Sequence, residues 1–153
     1  MKKKELMLVT ELRKNSRQTL SEMGRILKMP VSTVHDKMKK VRKDIVRKYT
    51  CILDFKRLGF NCRGHVVFRL ARKADRAVVK EYLLKNQNVN SVYKINNGYD
   101  FLVELVFRDM SELDGFLEKM EEKFNIREKK VYYIIEDVVR EMFLSDLMHA
   151  QMV

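Results

Sequence analysis

Apolar residues in the first 45 positions of the chain recur at steps of three and four, which is the spacing of amphipathic helices. They fall into three groups, and within each group the apolar side chains share one helical face. The groups are Leu6, Val9 and Leu12; Leu20, Met23, Ile26 and Leu27; and Val31, Val34, Met38, Val41 and Ile45. The pattern predicts three short helices that pack these faces into one small core.

The corner between the second and third helices is marked by Gly24 and by the only proline of the chain. The preceding Thr19-Leu20-Ser21-Glu22 is a capping box, which fixes where the second helix begins. Gly24 costs roughly 1 kcal/mol relative to alanine inside a helix, a cost tolerated where another helix passes closely. Pro30 disfavours helix at Met29 and suits the first turn of a new helix. The sequence therefore predicts a helix-turn-helix.

After residue 61 the apolar pattern changes from helical spacing to runs of Val, Ile, Tyr and Phe. These runs predict strands at 64–70, 91–95, 100–107 and 129–138, with helices at 75–86 and 110–124 between them. The order is βαββαβ, a ferredoxin-like split unit. The predicted fold class is α+β, with an N-terminal helix-turn-helix domain followed by a ferredoxin-like βαββαβ domain.

The two helices of this second domain can cover only one face of its sheet. In the strand at 100–107, Leu102 and Val106 oppose Phe101, Val103 and Leu105, so apolar side chains lie on both faces. The face without helices is too apolar for solvent. We therefore expect a second copy of the chain to cover it, which makes the protein at least a homodimer.

The net charge of +11 is concentrated in the first third of the chain. Residues 1–50 hold 15 Lys and Arg against 5 Asp and Glu, whereas residues 51–153 hold 17 against 16. This asymmetry is typical of a surface that binds a polyanion, with nucleic acid as the first candidate and an anionic membrane as the second. The apolar run near the start ends at Val9, too short for a secretory segment or a membrane span. We expect a cytoplasmic protein with no membrane partner.

The outward face of the third helix carries small polar groups followed by cations. Ser32, Thr33 and Asp36 lie near its N-terminal end and are predicted to contact base edges of double-stranded DNA. His35 lies on the flank, where a phosphate contact or no role is expected. The alternative is a lysine-rich face that is merely solvated. The cations predicted to neutralise phosphates are Lys37, Lys39, Lys40 and Lys43.

Three stretches of the chain, taken in order, carry a resemblance to a known family. "LSEMGRILKMPVSTVHDKMKKV", "IVRKYTCILDFKRLG" and "NGYDFLVEL" resemble the helix-turn-helix, the connecting strand and hinge, and the ligand-domain loop of the Lrp/AsnC, or feast/famine, transcriptional regulators. The resemblance covers about residues 5 to 138 and implies a sequence-specific transcriptional regulator. It also implies assembly beyond the dimer, since the family commonly builds octamers. The implied segments are 1–48 for the helix-turn-helix DNA-binding domain, 49–61 for the connecting strand and hinge, and 62–138 for the ferredoxin-like ligand-sensing and dimerisation domain. Residues 139–153 follow them as a C-terminal helical extension.

The loop that ends the third stretch is where the resemblance implies an effector site. Family members bind effectors, usually amino acids, near this loop, so Asn97, Gly98, Tyr99 and Asp100 are the residues implied to line it. Asp100 could pair with the ammonium of an amino acid, while loop amides and Asn97 receive its carboxylate. In the alternative, Asp100 only caps the turn and no small molecule binds.

Three positions depart from the family pattern. Lys37 stands where arginine is usual, which changes a bidentate contact to a point charge. Lys28 replaces a common glycine before the corner. The loop has Asn97-Gly98-Tyr99-Asp100 where Gly-Asp-x-Asp is usual, so its glycine is displaced by one position.

Other function classes find little support in the sequence. Some sirohaem decarboxylases resemble this family in architecture, but the three histidines of the chain are spread over three regions, and no catalytic constellation, cofactor site or metal set is apparent. Cys51 and Cys62 are expected to be reduced structural thiols. An architectural chromatin or RNA-binding protein remains an alternative.

The segment after the last predicted strand has its own apolar pattern. Met142, Phe143, Leu147 and Met148 suggest an extra amphipathic helix, with packing on a neighbouring subunit as its simplest role.

Overall fold

A computed structural model describes residues 3–146, and these form two compact units. The helical unit consists of residues 3–52 and 138–146, and the sheet unit consists of residues 53–137. The helical unit holds α1 (Lys3–Lys14), α2 (Leu20–Leu27) and α3 (Val31–Asp44). The sheet unit holds β1 (Cys62–Leu70), α4 (Arg76–Lys85), β2 (Val89–Lys94), β3 (Phe101–Phe107), α5 (Met110–Lys123) and β4 (Ile126–Tyr133).

The three helices of the helical unit pack around one apolar core, as the spacing of their apolar residues predicts. Ile26, Val31 and Ile45 were expected to point inward, yet they are 43–46% exposed. The reason is positional, because Val31 and Ile45 lie at the two ends of α3 and Ile26 lies at the edge of the apolar stripe of α2. The core consists of Leu8, Val9, Leu12, Met23, Leu27, Met29, Val34, Met38 and Val41.

The corner between α2 and α3 has the predicted start and stop signals. The Glu22 amide donates to the Thr19 hydroxyl at 3.2 Å, and the Thr19 amide donates to the Glu22 carboxylate at 2.7 Å. A Cβ atom on Gly24 would lie 2.9 Å from the carbonyl oxygen of Met29. Glycine is therefore required by the backbone of the turn itself, rather than by the crossing helix that the sequence suggested.

Lys28 ends α2 in the left-handed conformation, with φ 51°. This geometry lets the Met29 amide donate to the carbonyl of Gly24 at 2.9 Å and so closes the last turn of α2. Glycine adopts this conformation without steric cost, whereas a side chain with a Cβ atom is strained there. Position 28 therefore has a backbone conformation that favours glycine, although this chain has lysine there.

The four strands of the sheet unit form one antiparallel sheet in the order β2-β3-β1-β4. This is the order of a ferredoxin-like βαββαβ fold, and it confirms the predicted fold class. Both helices lie on one face and bury a core with β1 and β3. The core consists of Cys62, Val66, Phe68, Leu70, Val79, Leu83, Phe101, Val103, Leu105, Phe107, Leu113, Phe116, Leu117, Met120 and Phe124.

Strand β4 occupies 126–133 instead of the predicted 129–138. Its partner β1 begins at Cys62, and Gly64 is paired with Tyr133. The Ile134 amide still donates to the carbonyl of Arg63 at 2.8 Å. Arg63 is only the second residue of β1, so few backbone groups of β1 remain for β4 to pair with. The chain therefore leaves the sheet several residues earlier than its β-rich composition suggests.

Two further elements expected from the sequence have other conformations. The segment 46–61 has no strand among the described residues, and positions 55–59 form a turn in which the Gly59 amide donates to the carbonyl of Lys56 at 3.0 Å. Residues 139–146 are irregular instead of helical, because Glu141 and Leu144 have φ of 58° and 56°, a conformation that right-handed helices exclude. Leu147 and Met148, which belong to the same predicted helix, lie outside the described residues.

Replacement of Lys28 by glycine tests the left-handed helix end. Lys28→Gly is expected to raise the free energy of unfolding by about 0.5–1 kcal/mol, because it relieves the strain at φ 51°. Arg25→Gly, three residues earlier inside α2, is the matched control and is expected to lose about 1 kcal/mol. Thermal and urea unfolding followed by circular dichroism measure both. Equal destabilisation by the two substitutions would contradict the observed geometry.

Candidate DNA-binding surface and effector loop

The exposed face of α3 brings together six of the eight residues that the sequence predicted for DNA binding, and the other two lie at its flank. Val34, Met38 and Val41 are at most 2% exposed and fix which face of the helix is turned inward. On the opposite face six of the eight are exposed, and Thr33 and Lys37 are half-buried. The exposed six are Ser32, His35, Asp36, Lys39, Lys40 and Lys43.

The charges on this face are not equivalent. Lys40 lies 3.4 Å from the carboxylate of Glu5, whose side chain is 9% exposed, so part of its charge is compensated from α1. Within the described residues, no carboxylate lies within ion-pair distance of Lys39 or Lys43. Asp36 is 81% exposed at the side chain, with the His35 imidazole 3.4 Å away. Among the described residues Lys39 and Lys43 therefore present uncompensated charges on the exposed face, and Lys40 presents a shared one.

Arg42 and Tyr49 form a contact at the end of α3 that the sequence did not indicate. The Arg42 Nε donates to the Tyr49 hydroxyl at 3.1 Å, and its guanidinium carbon lies 5.8 Å from the centre of the Tyr49 ring. This contact fixes the guanidinium beside the chain that leaves α3. Arg42 and Tyr49 are seven positions apart. Their contact follows from the sequence only if α3 is known to end at Asp44, between them.

The loop between β2 and β3 is a tight hairpin turn. Asn97 and Gly98 both have positive φ, at 58° and 85°, and the Tyr99 amide donates to the carbonyl of Asn96 at 3.4 Å. Two consecutive left-handed residues are the signature of a type I′ turn, for which Asn-Gly is the preferred pair. The displaced glycine is thus the second central residue of a regular turn, and both central residues are exposed.

Asp100 lies directly after this turn and is 6% exposed. Its Oδ2 accepts from the backbone amide of Leu70 at 2.7 Å, and its Oδ1 accepts from Nε of Arg76 at 2.5 Å. Burial by itself raises the pKa of Asp100, but the Leu70 amide and the Arg76 guanidinium outweigh that effect and lower the pKa below its ordinary value. Both carboxylate oxygens are engaged within the chain, so this side chain orders the loop.

Tyr99 joins the loop to β4. Its hydroxyl donates to Glu128 at 2.7 Å, and the Lys130 ammonium lies 5.3 Å from its ring centre. The Tyr99 hydroxyl is the main cause of a lowered pKa for Glu128. Arg69 of β1 lies 3.8 Å from Glu128 and also backs the turn, because a Cβ atom on Gly98 would be 3.2 Å from its guanidinium. The sequence nominated the loop residues, but it carried no signal for these partners on β1, α4 and β4.

No cluster of His, Cys, Asp or Glu in the described residues has the arrangement of a metal site. No helix between residues 3 and 146 combines the length and apolarity of a membrane span. Cys51 is exposed and Cys62 is buried, and both are free thiols.

Two named regulators are similar in sequence to about three quarters of this chain. The regulator FL11 of Pyrococcus abyssi is 27% identical over 112 residues, which is 72% of this chain and 74% of FL11. The regulator LrpC of Bacillus subtilis is 25% identical over 118 residues, covering 75% of this chain and 80% of LrpC. Both are named HTH-type transcriptional regulators.

Solved structures show the same fold at low sequence identity. LrpC of B. subtilis matches with TM-score 0.82 and 21% identity over 91% of this chain and 97% of that one. A transcriptional regulator of Neisseria meningitidis in complex with L-Met matches with TM-score 0.84 and 17% identity over 92% and 93%. The family model described as the Lrp/AsnC ligand binding domain matches residues 65–143. That match spans more than half of the chain, which therefore belongs to the Lrp/AsnC family of transcriptional regulators.

Proposed function

We propose that this regulator binds double-stranded DNA by placing α3 in the major groove. The observation that carries the proposal is the single exposed face of α3, where small polar groups precede the uncompensated cations Lys39 and Lys43. Ser32, Thr33 and Asp36 contact base edges near the start of the helix. Lys37, Lys39 and Lys43 neutralise phosphates, Lys40 does so with a charge shared with Glu5, and His35 contacts a phosphate on the flank.

We further propose that a second copy covers the face of the sheet that carries no helix. Val67 and Leu102 are paired on this face, next to Tyr93 and Tyr132, which are 54% and 55% exposed. An exposed tyrosine presents a large apolar ring together with a hydroxyl, which is typical of an interface residue. A two-fold dimer through this face covers both tyrosines, and larger assemblies, including an octamer of four such dimers, build on it.

We also propose that an amino-acid effector binds at the β2–β3 loop. The related Neisseria structure holds L-Met, and the turn here exposes the Asn97 side chain and the Gly98 amide for a carboxylate. Glu128, 40% exposed beside Tyr99, supplies a carboxylate for the ammonium, which competes there with the exposed ion pairs of Glu128 to Arg69 at 3.8 Å and to Lys130 at 3.6 Å. Asp100 acts indirectly, because its bonds to Leu70 and Arg76 hold the turn in place.

Removing cations from α3 tests the DNA-binding assignment. Lys39→Gln and Lys43→Gln are each expected to weaken binding to every duplex and to reduce the slope of log affinity against log salt by roughly 1 per lost phosphate contact. Lys80→Gln, the same change on α4 of the sheet unit, is the control and should leave binding unchanged.

Ser32→Ala is expected to keep the salt slope and shift base preference by roughly 1–3 kcal/mol in selection from random duplexes. Unchanged binding by both lysine variants would reject α3 as the DNA-contacting helix, and the absence of any base preference in the unmodified protein would favour an architectural role.

Introducing a charge on the helix-free sheet face tests the dimer. Leu102→Lys is expected to separate the subunits, because it buries an ammonium without a partner in the interface. Leu84→Lys, at a position 64% exposed on α4, is the control and should keep the mass of the unmodified protein. Light scattering gives the mass of each variant and of any larger assembly. A Leu102→Lys variant that retains the dimer mass shows that another surface joins the subunits.

Calorimetric titration with each of the twenty amino acids tests the effector site. At least one is expected to bind, and Asn97→Gly and Glu128→Gln are each expected to weaken it by roughly tenfold, the effect of losing one charge-assisted hydrogen bond. Asn97→Gly preserves the left-handed turn, so a weaker affinity reports the side chain rather than the backbone. Gln87→Ala, an exposed amide outside the loop, is the control. The absence of heat with every amino acid refutes the effector, and full affinity in both loop variants places it elsewhere.

A further inference from the structure

The segment that follows β4 passes from the sheet unit to the helical unit at residue 138. Before that point it is fixed to the sheet unit by the Ile134 amide, which donates to the carbonyl of Arg63, and by Asp137, which accepts from the Arg63 guanidinium at 2.7 Å. The Lys56 ammonium donates to the carbonyl of Ile135 at 3.3 Å. The Arg63 side chain is only 13% exposed. Residues 134–137 are therefore ordered by contacts within the sheet unit.

Four residues later the same segment is fixed to α1. The Arg13 Nη2 donates to the backbone carbonyl of Glu141 and to its carboxylate, each at 2.8 Å. One guanidinium nitrogen thus binds the backbone and the side chain of a single residue. The left-handed φ of 58° at Glu141 is part of this arrangement, since it sets how the carbonyl and the side chain are presented together.

Helix α1 is buried up to the turn that holds Arg13. Leu8, Val9 and Leu12 pack in the core with α2 and α3. Leu6 and Thr10, which are 4% and 0% exposed, lie beside Val9 and in line with Arg13, at spacings of four and three residues. The residue that binds Glu141 is therefore the exposed end of a row of buried side chains.

We propose that residues 138–146 dock on α1 as a fourth, non-helical element of the DNA-binding unit, supplied by the same chain. The Arg13–Glu141 pair locates this docking but contributes little energy, because its side chains are 34% and 63% exposed. Val138, Val139, Met142 and Phe143 are 56–89% exposed, so the segment is held by this polar contact rather than by apolar burial. Docking fixes the end of α1, the helix that shares its core with Val34 and Met38 of α3. The C-terminal segment is thus part of the structure that presents the recognition helix. This role does not depend on which duplex or effector the protein binds.

Cysteine cross-linking tests the docking in the full chain. In a Cys51→Ser background, with Cys62 buried, Lys14→Cys and Met142→Cys are introduced together, which leaves Arg13 and Glu141 in place, and treated with a short bis-maleimide. The cross-linked single chain is expected to form at least about tenfold faster than with the control pair Arg17→Cys and Met142→Cys, because docking raises the local concentration of the two thiols. Equal rates would overturn the docking. A product of two chains would overturn the assignment to the same chain and show that a second copy supplies the segment.

Hydrogen exchange gives an independent measurement that does not rely on a cross-link. Arg13→Gln and Glu141→Gln are each expected to speed amide exchange in α1 by about two- to fivefold, as expected for loss of one exposed ion pair, while exchange in α5 stays unchanged. Arg17→Gln is the matched control and should leave both helices unchanged. The charge-swapped chain, Arg13→Glu with Glu141→Arg, is expected to recover part of the lost protection. Unchanged α1 exchange in both single variants would contradict the proposed contact.

Discussion

The one-sided cover of the sheet is the constraint on which the rest of the sheet unit depends. A βαββαβ chain places both of its helices on the same face, and here α4 and α5 bury the core side of β1 and β3. The other face contains a polar cluster in which Glu104, 8% exposed, accepts from Asn90 at 2.6 Å and Ser91 at 3.1 Å. Arg63 lies 3.5 Å from the same carboxylate. The Glu104 carboxylate thus has hydrogen-bond and ion-pair partners within the chain, which lowers the cost of removing it from water, whereas the buried Arg63 Nε has no hydrogen bond among the described residues and depends on its ion pair with Glu104.

Asp100 joins three elements that are far apart in sequence. It lies at the start of β3, and its two oxygens bind the end of β1 and the start of α4. The type I′ turn before it has little freedom of its own. Any ligand that reaches Asn97 or Gly98 therefore contacts a loop whose base is already fixed to the central strand of the sheet, which reduces the ordering that binding must otherwise impose.

The parts of the fold that follow from local pattern were predictable from the sequence. The buried positions of α3 follow from helical spacing, and the corner at Gly24 follows from glycine and proline chemistry. The helix predicted within 139–153 does not form in its described part, 139–146, because apolar spacing reports which side chains favour burial but not the backbone conformation, and Glu141 is left-handed. The segment at 49–61, expected to be a connecting strand and hinge, forms no strand within the described chain, since a strand needs a neighbour to pair with.

The candidate sites show the same division between local and long-range information. The cations of α3 were identifiable because a helix presents every third or fourth residue on one face. The compensation of the Lys40 charge by Glu5 could not be identified in this way, because the two residues are 35 positions apart. Asp100 was nominated as a ligand residue, but its partner Arg76 lies 24 positions away and decides that the carboxylate is engaged within the chain. Pairings of this kind depend on the tertiary fold, which spacing alone does not encode.

The helical unit is assembled from the first and the last described parts of the chain, with residues 53–137 between them. During synthesis the helix-turn-helix leaves the ribosome first, whereas Glu141 is made only after the whole sheet unit. At about 5–20 residues per second, this separation amounts to roughly ten seconds. The first part of the protein to be translated is therefore among the last to be completed, and a nascent or truncated chain carries a recognition helix before it carries the segment bound to Arg13.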